Sequence, residues 1–457
     1  MLLHLSYLHT MEKFSSPIAE DVQLDYERRS LETLETALSH TPIYQSWKLL
    51  DPGPGYAVDL RYHSLPVLTK EELRVHFPYG VVPRGLDLDA ALARGEVSFV
   101  RTSGTADEAL ENIWNQPWWN ASERASWKLN SIAARVATGL HPEAILASAL
   151  SVGPRSENGP IPRERRTLGR FLFLNEFGTT AEWPEGHERR LLQELADYQP
   201  AVFEANPSLL ARLARFAWTT GMRVYQPPLI TLTYEFPSVL QLRAIRRVFR
   251  SPIASSYGST EAGYVFMECE HGRLHQNFEF CRVDFAPFPN RGSNHAGVGR
   301  IFCTTFGNKW FPLVRFDIGD LVRLASGPCP CGRNFGMTLS AIEGRLKSLC
   351  IAEDGRLVTH REIDDALARV DDLQQYRLLQ ETLKTVRLDV IGEDGQGKRV
   401  ARDAAEMLHG LFGRGVNITV SEVSELLPEK SGKFLLAKCD FPLDFRIATP
   451  KTEKWND

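Results

Sequence analysis

The chain has 457 residues, 43% hydrophobic and 24% charged, which is apolar material for two or three soluble domains and too much chain for one ordinary core. Its 53 basic and 57 acidic residues leave a net charge of −4 with no basic block, which argues against a dedicated nucleic-acid or anionic-membrane binder. No run reaches the about 18 apolar residues that a membrane span needs, so none is expected.

The opening Met1–Leu8 is mildly apolar but lacks a basic flank and a small-residue cleavage site, so no secretory signal is expected; Met11 is an alternative start. Residues 25–39 space their leucines as a helix does, with charges between. Thr69 is placed to cap a helix that begins after Leu65-Pro-Val-Leu. Val97–Thr102, Leu229–Thr233 and Ile253–Ser256 are short, largely apolar runs that predict buried strands, and Asn206–Ala217 predicts a helix behind Pro207. Alternation of this kind predicts an α/β body. After about residue 344 the pattern changes. A helix at Arg361–Val370, a hairpin across 375–391 turning at Glu381–Lys384, a helix at Arg399–Phe412 and a strand at Asn417–Val423 predict a small α+β domain. The expected division is a large domain, 1–343, and a small mobile one, 344–457, with the boundary near Glu343–Ser348.

Four segments could carry chemistry. Val100 leads into Thr102-Ser103-Gly104-Thr105, where hydroxyls, a glycine and free backbone N–H groups could wrap phosphate oxygens; a plain polar turn remains the alternative. Ser256-Tyr257-Gly258-Ser259-Thr260-Glu261 follows an apolar run. Tyr257 offers a ring face to a purine, Gly258 a close backbone approach, Thr260 a hydroxyl to phosphate and Glu261 a hard oxygen to Mg²⁺; an ordinary loop would look the same. Asp320, after Gly319, could accept both hydroxyls of a ribose, or simply cap a turn with Arg315 as its ion-pair partner. Lys433, after Gly432, could stabilise charge developing on an α-phosphate, or be a solvated lysine on an exposed turn.

All seven cysteines lie at or beyond Cys269, which is no secreted disulfide framework, so a reducing cytoplasm is expected. Cys329-Pro-Cys331 is a tight knuckle, and five residues separate Cys269 from His275. Together they could close a tetrahedral, structural zinc site, with His271 as the alternative imidazole and buried free thiols as the plain reading. The other cysteines read as core.

Taken in this order, the segments resemble those of the adenylate-forming superfamily of acyl-CoA synthetases, luciferases and peptide-synthetase adenylation domains. The likeness is greatest to its phenylacetate–CoA ligase-like branch and runs from about residue 30 to 440. The resemblance implies a phosphate loop at Thr102–Thr105, an adenine and magnesium motif at Tyr257–Glu261, and a ribose aspartate at Asp320. It also implies a hinge at Gly344–Leu349, with Arg345 near the ribose and Lys347 at the pivot, and a catalytic Lys433 acting with Thr260 and Glu261. It implies ATP, Mg²⁺, structural Zn²⁺ and a small, perhaps aryl, carboxylic acid activated as its adenylate. The acyl group then passes to the thiol of coenzyme A or of a carrier protein's phosphopantetheine, and the family leaves room for a homodimer. Two departures stand out. Ala106-Asp107-Glu108 places negative charge where the family grips phosphates, and Cys350–Arg356, with Gly355, replaces the usual Arg-Gly turn after the hinge. Transfer to an amine, and a degenerate nucleotide-binding non-enzyme, are the alternatives. Tyr234, Glu235, Phe236 and Pro237 are candidate walls of the acid pocket. Trp114, Trp118 and Trp119 could line it or simply pack.

Overall fold

The computed structural model describes residues 17–102, 110–157, 159–288, 295–393, 395–429 and 432–441. Helix α1 (Pro17–His40) is followed by the short α2 (Lys70–His76), which Thr69 starts with a reciprocal capping box to Glu72. Strands β1 (Ser98–Arg101) and β2 (Glu111–Trp114) form a separate antiparallel ribbon. The expected buried strand at Val97–Thr102 is therefore corrected: Ser98, Phe99 and Arg101 are exposed. Its side chains are not enclosed by helices because the strand never joins the main sheet. Helix α3 (Gln116–Trp127) follows.

The main sheet has twelve strands. Its parallel half runs β5 (Phe171–Phe173), β3 (Glu143–Leu146), β6 (Val202–Ala205), β7 (Leu229–Leu232) and β8 (Ile253–Ser259), with β4 (Thr167–Leu168) antiparallel at the edge. Helices α4 (His187–Tyr198), α5 (Pro207–Thr220) and α6 (Val239–Val248) connect these strands. From β8 onward the sheet is antiparallel: β9 (Gly263–Glu268), β10 (Leu274–Gln276), β14 (Thr338–Arg345), β13 (Phe316–Leu324), β12 (Val298–Thr305) and β11 (Cys281–Pro287).

Helix α5 shows how the sequence builds this layer. Asn206 accepts hydrogen bonds from the N–H groups of Ser208 and Leu209, Pro207 fills the first turn, and Gly221 in the left-handed region ends the helix. Leu209, Leu210, Leu213, Ala214 and Ala217 bury one face with Phe203, Ile230 and Phe249. Arg212 and Arg215 lie off that face.

Past Arg345 come a short turn, Leu346–Ser348, and a two-stranded ribbon, β15 (Cys350–Ile351) with β16 (Leu357–Val358). Helix α7 (His360–Leu367), β17 (Leu373–Thr382), β18 (Thr385–Gly392), helix α8 (Gly397–Phe412), β19 (Asn417–Glu422) and β20 (Ala437–Cys439) complete the chain. Strands β17 to β20 form one four-stranded sheet with its own core of Tyr376, Leu388, Val400, Leu408 and Phe412. Leu240 of α6 packs into that core, and the N–H of Val239 donates to Asp364 of α7 at 2.8 Å. The two layers thus meet along α6.

Candidate functional site

Ligands of open α/β sheets collect beyond the carboxyl ends of the parallel strands. Strand β8 ends there, and the segment expected to bind adenine and magnesium sits on it. Tyr257, Gly258 and Ser259 continue the strand and pair with Phe266, Tyr264 and Gly263 of β9, so the motif is a hairpin rather than a free loop. A Cβ at Gly258 would collide with the carbonyl oxygen of Gly263, which only glycine avoids. Ser259 Oγ accepts from Ala262 N at 3.1 Å and shapes the turn that carries Thr260 and Glu261. Gly258→Ala should cost about 1–3 kcal/mol of stability by overpacking against backbone; urea unfolding would measure it.

The Tyr257 hydroxyl donates to Asp320 Oδ2 at 2.8 Å, and Arg345 Nε lies 3.4 Å from Asp320 Oδ1. Asp320 and Arg345 are cross-strand partners on β13 and β14. This corrects two expectations. Asp320 is mid-strand, not in a turn, because Gly319 takes its positive φ within β13. Arg315 is not its partner; it lies 3.5 Å from Asp284 and donates to the Pro66 carbonyl.

Glu261 is buried, and its Oε1 accepts no hydrogen bond. The nearest cation is Lys70 Nζ at 3.6 Å, too far for a hydrogen bond. Lys70, at the start of α2, belongs to none of the motifs read in the sequence. A buried carboxylate oxygen that accepts no hydrogen bond can serve as a hard ligand to a divalent cation.

Lys433 reaches this cluster from the other layer. It does not stand on an exposed turn. Gly432 seats its loop so closely that a Cβ would strike the hydroxyl of Ser148. The Phe434 N–H donates to Glu235 Oε1 at 2.7 Å, fixing the other side of the lysine. Burial pulls the Lys433 ammonium below its ordinary pKa and Arg345 adds to that, while Glu235, Asp320 and Glu261 oppose it.

Ser103, Gly104 and Thr105, with Ala106, Asp107 and Glu108, lie outside the described residues, as do Lys430 and Ser431. Thr102 closes the base of that loop: its Oγ1 accepts from Leu110 N at 2.8 Å. Lys347 lies in the turn Leu346–Ser348, between β14 and β15.

The expected acid-pocket wall divides. Glu235 binds Ser208 and Phe434, and Phe236 stacks on His360 of α7 at 4.5 Å, so both face the small sheet. Tyr234 turns the other way and donates to Glu204 of β6. Trp118 is buried, its Nε1 donating to the Phe306 carbonyl at 2.7 Å. Trp119 stacks between Trp114 and Tyr264. Sequence reading missed what lies beside them. Glu123, Glu143 and Glu204 are buried with carboxylate oxygens within 4.8 Å of one another. Tyr264 donates to Glu123 and Arg170 pairs with Glu143. The available signal was a glutamate in each of two otherwise apolar strands, Glu143 in β3 and Glu204 in β6.

Burial, then the neighbouring carboxylates, pushes Glu204 up to about 8; burial and Glu143 push Glu123 up to about 7. Folded Glu204 thus holds a proton that the unfolded chain loses above 4.5. Its contribution to stability is full below that value and is lost as pH rises through about 8, with a slope of at most about 1.4 kcal/mol per pH unit. Glu204→Gln should flatten this loss in urea unfolding measured across the same window.

Cys269, His275, Cys329 and Cys331 converge, with all four ligand atoms within 4.8 Å of one another. Cys269 Sγ is 3.7 Å from Cys329 Sγ, and Cys331 Sγ is 3.2 Å from His275 Nε2. The other ring nitrogen, Nδ1, contacts Thr338 Oγ1 at 3.3 Å, the kind of outer contact that orients a metal-binding imidazole. His271 is not part of the set; only its N–H approaches Cys269.

No family model matches the chain, and no curated protein matches it. Solved structures do. It is similar to 2-hydroxyisobutyryl-CoA ligase in the postadenylation state in complex with R3-HIB-AMP, with a TM-score of 0.68 at 17% identity over 93% of this chain and 91% of that one. Against an open conformation of that ligase with 2-HIB-AMP and CoA the TM-score is 0.55 at 18% identity, over 92% and 89%. An anthranilate CoA ligase in complex with anthranoyl-AMP gives 0.52 at 13% identity, over 74% and 65%. The chain has the fold of these adenylate-forming ligases.

Proposed function

We propose that this chain uses ATP to convert a carboxylic acid to its acyl-adenylate and then passes the acyl group to a thiol, that of coenzyme A or of a carrier protein's phosphopantetheine. One observation carries the reading: the loop that bears Lys433 is seated on the large layer, with Gly432 against Ser148 and the Phe434 N–H on Glu235. The shared fold with ligases captured with acyl-AMP supports it.

In this reading a substrate carboxylate oxygen attacks the α-phosphorus, and the bond to the β-phosphate breaks as pyrophosphate leaves. Lys433 neutralises the charge that builds on the α-phosphate, with Thr260 donating beside it. Tyr257 orients Asp320, whose remaining lone pairs accept the ribose hydroxyls, with Arg345 alongside and Gly258 and Ser259 shaping the strand against adenine. Thr102 and the loop it closes, Ser103–Thr105, take the outer phosphates. Glu261 fits Mg²⁺, which supplies further charge neutralisation when bound.

The large domain is then 1–343 and the small one 344–457. Lys347 is the pivot of a swing that withdraws Lys433 and admits the thiol, which attacks the acyl carbon as AMP leaves. Cys269, His275, Cys329 and Cys331 fit a closed structural zinc site. The aromatic set Trp114, Trp119 and Tyr264 suits an aryl acid, with Glu204 and Glu123 offering polar contacts at its edge. Free thiols suit a cytoplasmic setting. No helix among the described residues is long and apolar enough to cross a membrane.

The nucleotide product tests the proposal. Incubation with ATP, a panel of carboxylic acids and coenzyme A should release AMP. Release of ADP instead would reject adenylation.

A further inference from the structure

Away from the nucleotide cluster, a cavity of about 510 Å³ lies between the two layers. Helices α4, α5 and α6 form one wall; β17, β18, the segment after β19 and the segment before β20 form the other. Its charged lining is three arginines, Arg212, Arg215 and Arg377, against two glutamates, Glu188 and Glu425. Both glutamates are taken by one arginine. Arg212 Nε is 3.0 Å from Glu188, and its Nη1 is 3.3 Å from Glu425 across the domain boundary. Arg377 donates to the Leu427 carbonyl.

Arg215 is left over. It lines the cavity, and neither glutamate of the lining pairs with it. Burial, followed by repulsion from Arg212, pulls its guanidinium down to about 10. A guanidinium presents five fixed donors, and a half-buried charge without a counter-ion is costly. Phe216, Leu240, Ile391 and Leu426 supply apolar wall beside the arginine, and Gln241 and Gln375 supply amides. The volume is that of a small-molecule site.

We propose that this interdomain cavity binds a small organic anion, a carboxylate or phosphate head on an apolar body, with Arg215 as its counter-ion. Because the walls come from both layers, the ligand binds only while they stand in the present arrangement. The binding site stands apart from the reaction proposed above. Its consequence, that an occupied cavity holds back the swing and slows thioester formation, rests on that reading.

Calorimetric titration of the full chain tests the site without any turnover, using phenyl phosphate, phenylacetate and inorganic phosphate at fixed ionic strength. At least one of the two aryl probes should bind, and comparing them shows which head group is preferred; inorganic phosphate should bind more weakly than phenyl phosphate. Arg215→Gln should weaken the binding by about tenfold or more, the usual worth of a charged hydrogen bond. Gln375→Glu, which adds a carboxylate to the lining and leaves Arg215 in place, should weaken it as well. Absence of binding by both aryl probes in the wild type would overturn the proposal. So would equal affinity in the wild type and both variants, which would put the anion elsewhere. Adenylation can fail its own test while this result stands, and the reverse.

Discussion

Lys433→Ala is expected to lower acid-dependent pyrophosphate release by about 100-fold or more, equivalent to about 3 kcal/mol of lost transition-state stabilisation. The size follows from position. The lysine stands on a loop anchored at Ser148 and Glu235, which in the proposed mechanism pre-places its charge where the α-phosphate gains charge. The Glu235–Phe434 bond uses backbone N–H and survives the substitution, so thermal stability should change little. Thioester formation from supplied acyl-adenylate should persist, because in the proposed mechanism the lysine serves only the first half-reaction. Burial lowers the Lys433 pKa, so adenylation is lost as pH rises through a value below the ordinary lysine range. Full pyrophosphate release in the variant would remove this lysine from the mechanism.

The second large effect belongs to the cysteine cluster. Wild type should contain about one zinc per chain, and Cys329→Ser should contain none. The loss should cost about 3 kcal/mol or more, the class of effect that follows loss of a structural metal. The physical reason lies in the segment between β13 and β14, which has little regular hydrogen bonding of its own. Cys329 and Cys331 fasten it to the β9–β10 turn through Cys269 and His275. Those same two strands carry Asp320 and Arg345, so unclipping the segment should also weaken nucleotide binding. Metal analysis and thermal unfolding with and without a chelator would check it. A metal-free, fully stable wild type would contradict it.

The fold was legible where patterns are local. Thr69 capped its helix as its spacing implied, α5 began at Pro207, and the hairpin of β17 and β18 turned beside Leu383. Ser98–Arg101 misled because an apolar run says nothing about which sheet it joins. Asp320 misled because a glycine before an aspartate usually marks a turn, whereas Gly319 is absorbed within a strand. The motifs of the site were readable one by one; their contacts were not. Tyr257 meets Asp320 across 63 residues, and Gly432 meets Ser148 from the other layer. Lys70, the Glu123–Glu143–Glu204 set and the cavity around Arg215 have no local signature, since each exists only once distant elements pack.

The central claim is adenylation, and isotope exchange between pyrophosphate and ATP tests it most directly. The account predicts exchange that depends on one class of carboxylic acid, is abolished by omitting that acid and falls with Lys433→Ala. Exchange that ignores the acid, or none with any acid across a broad aryl and alkyl panel, would contradict it.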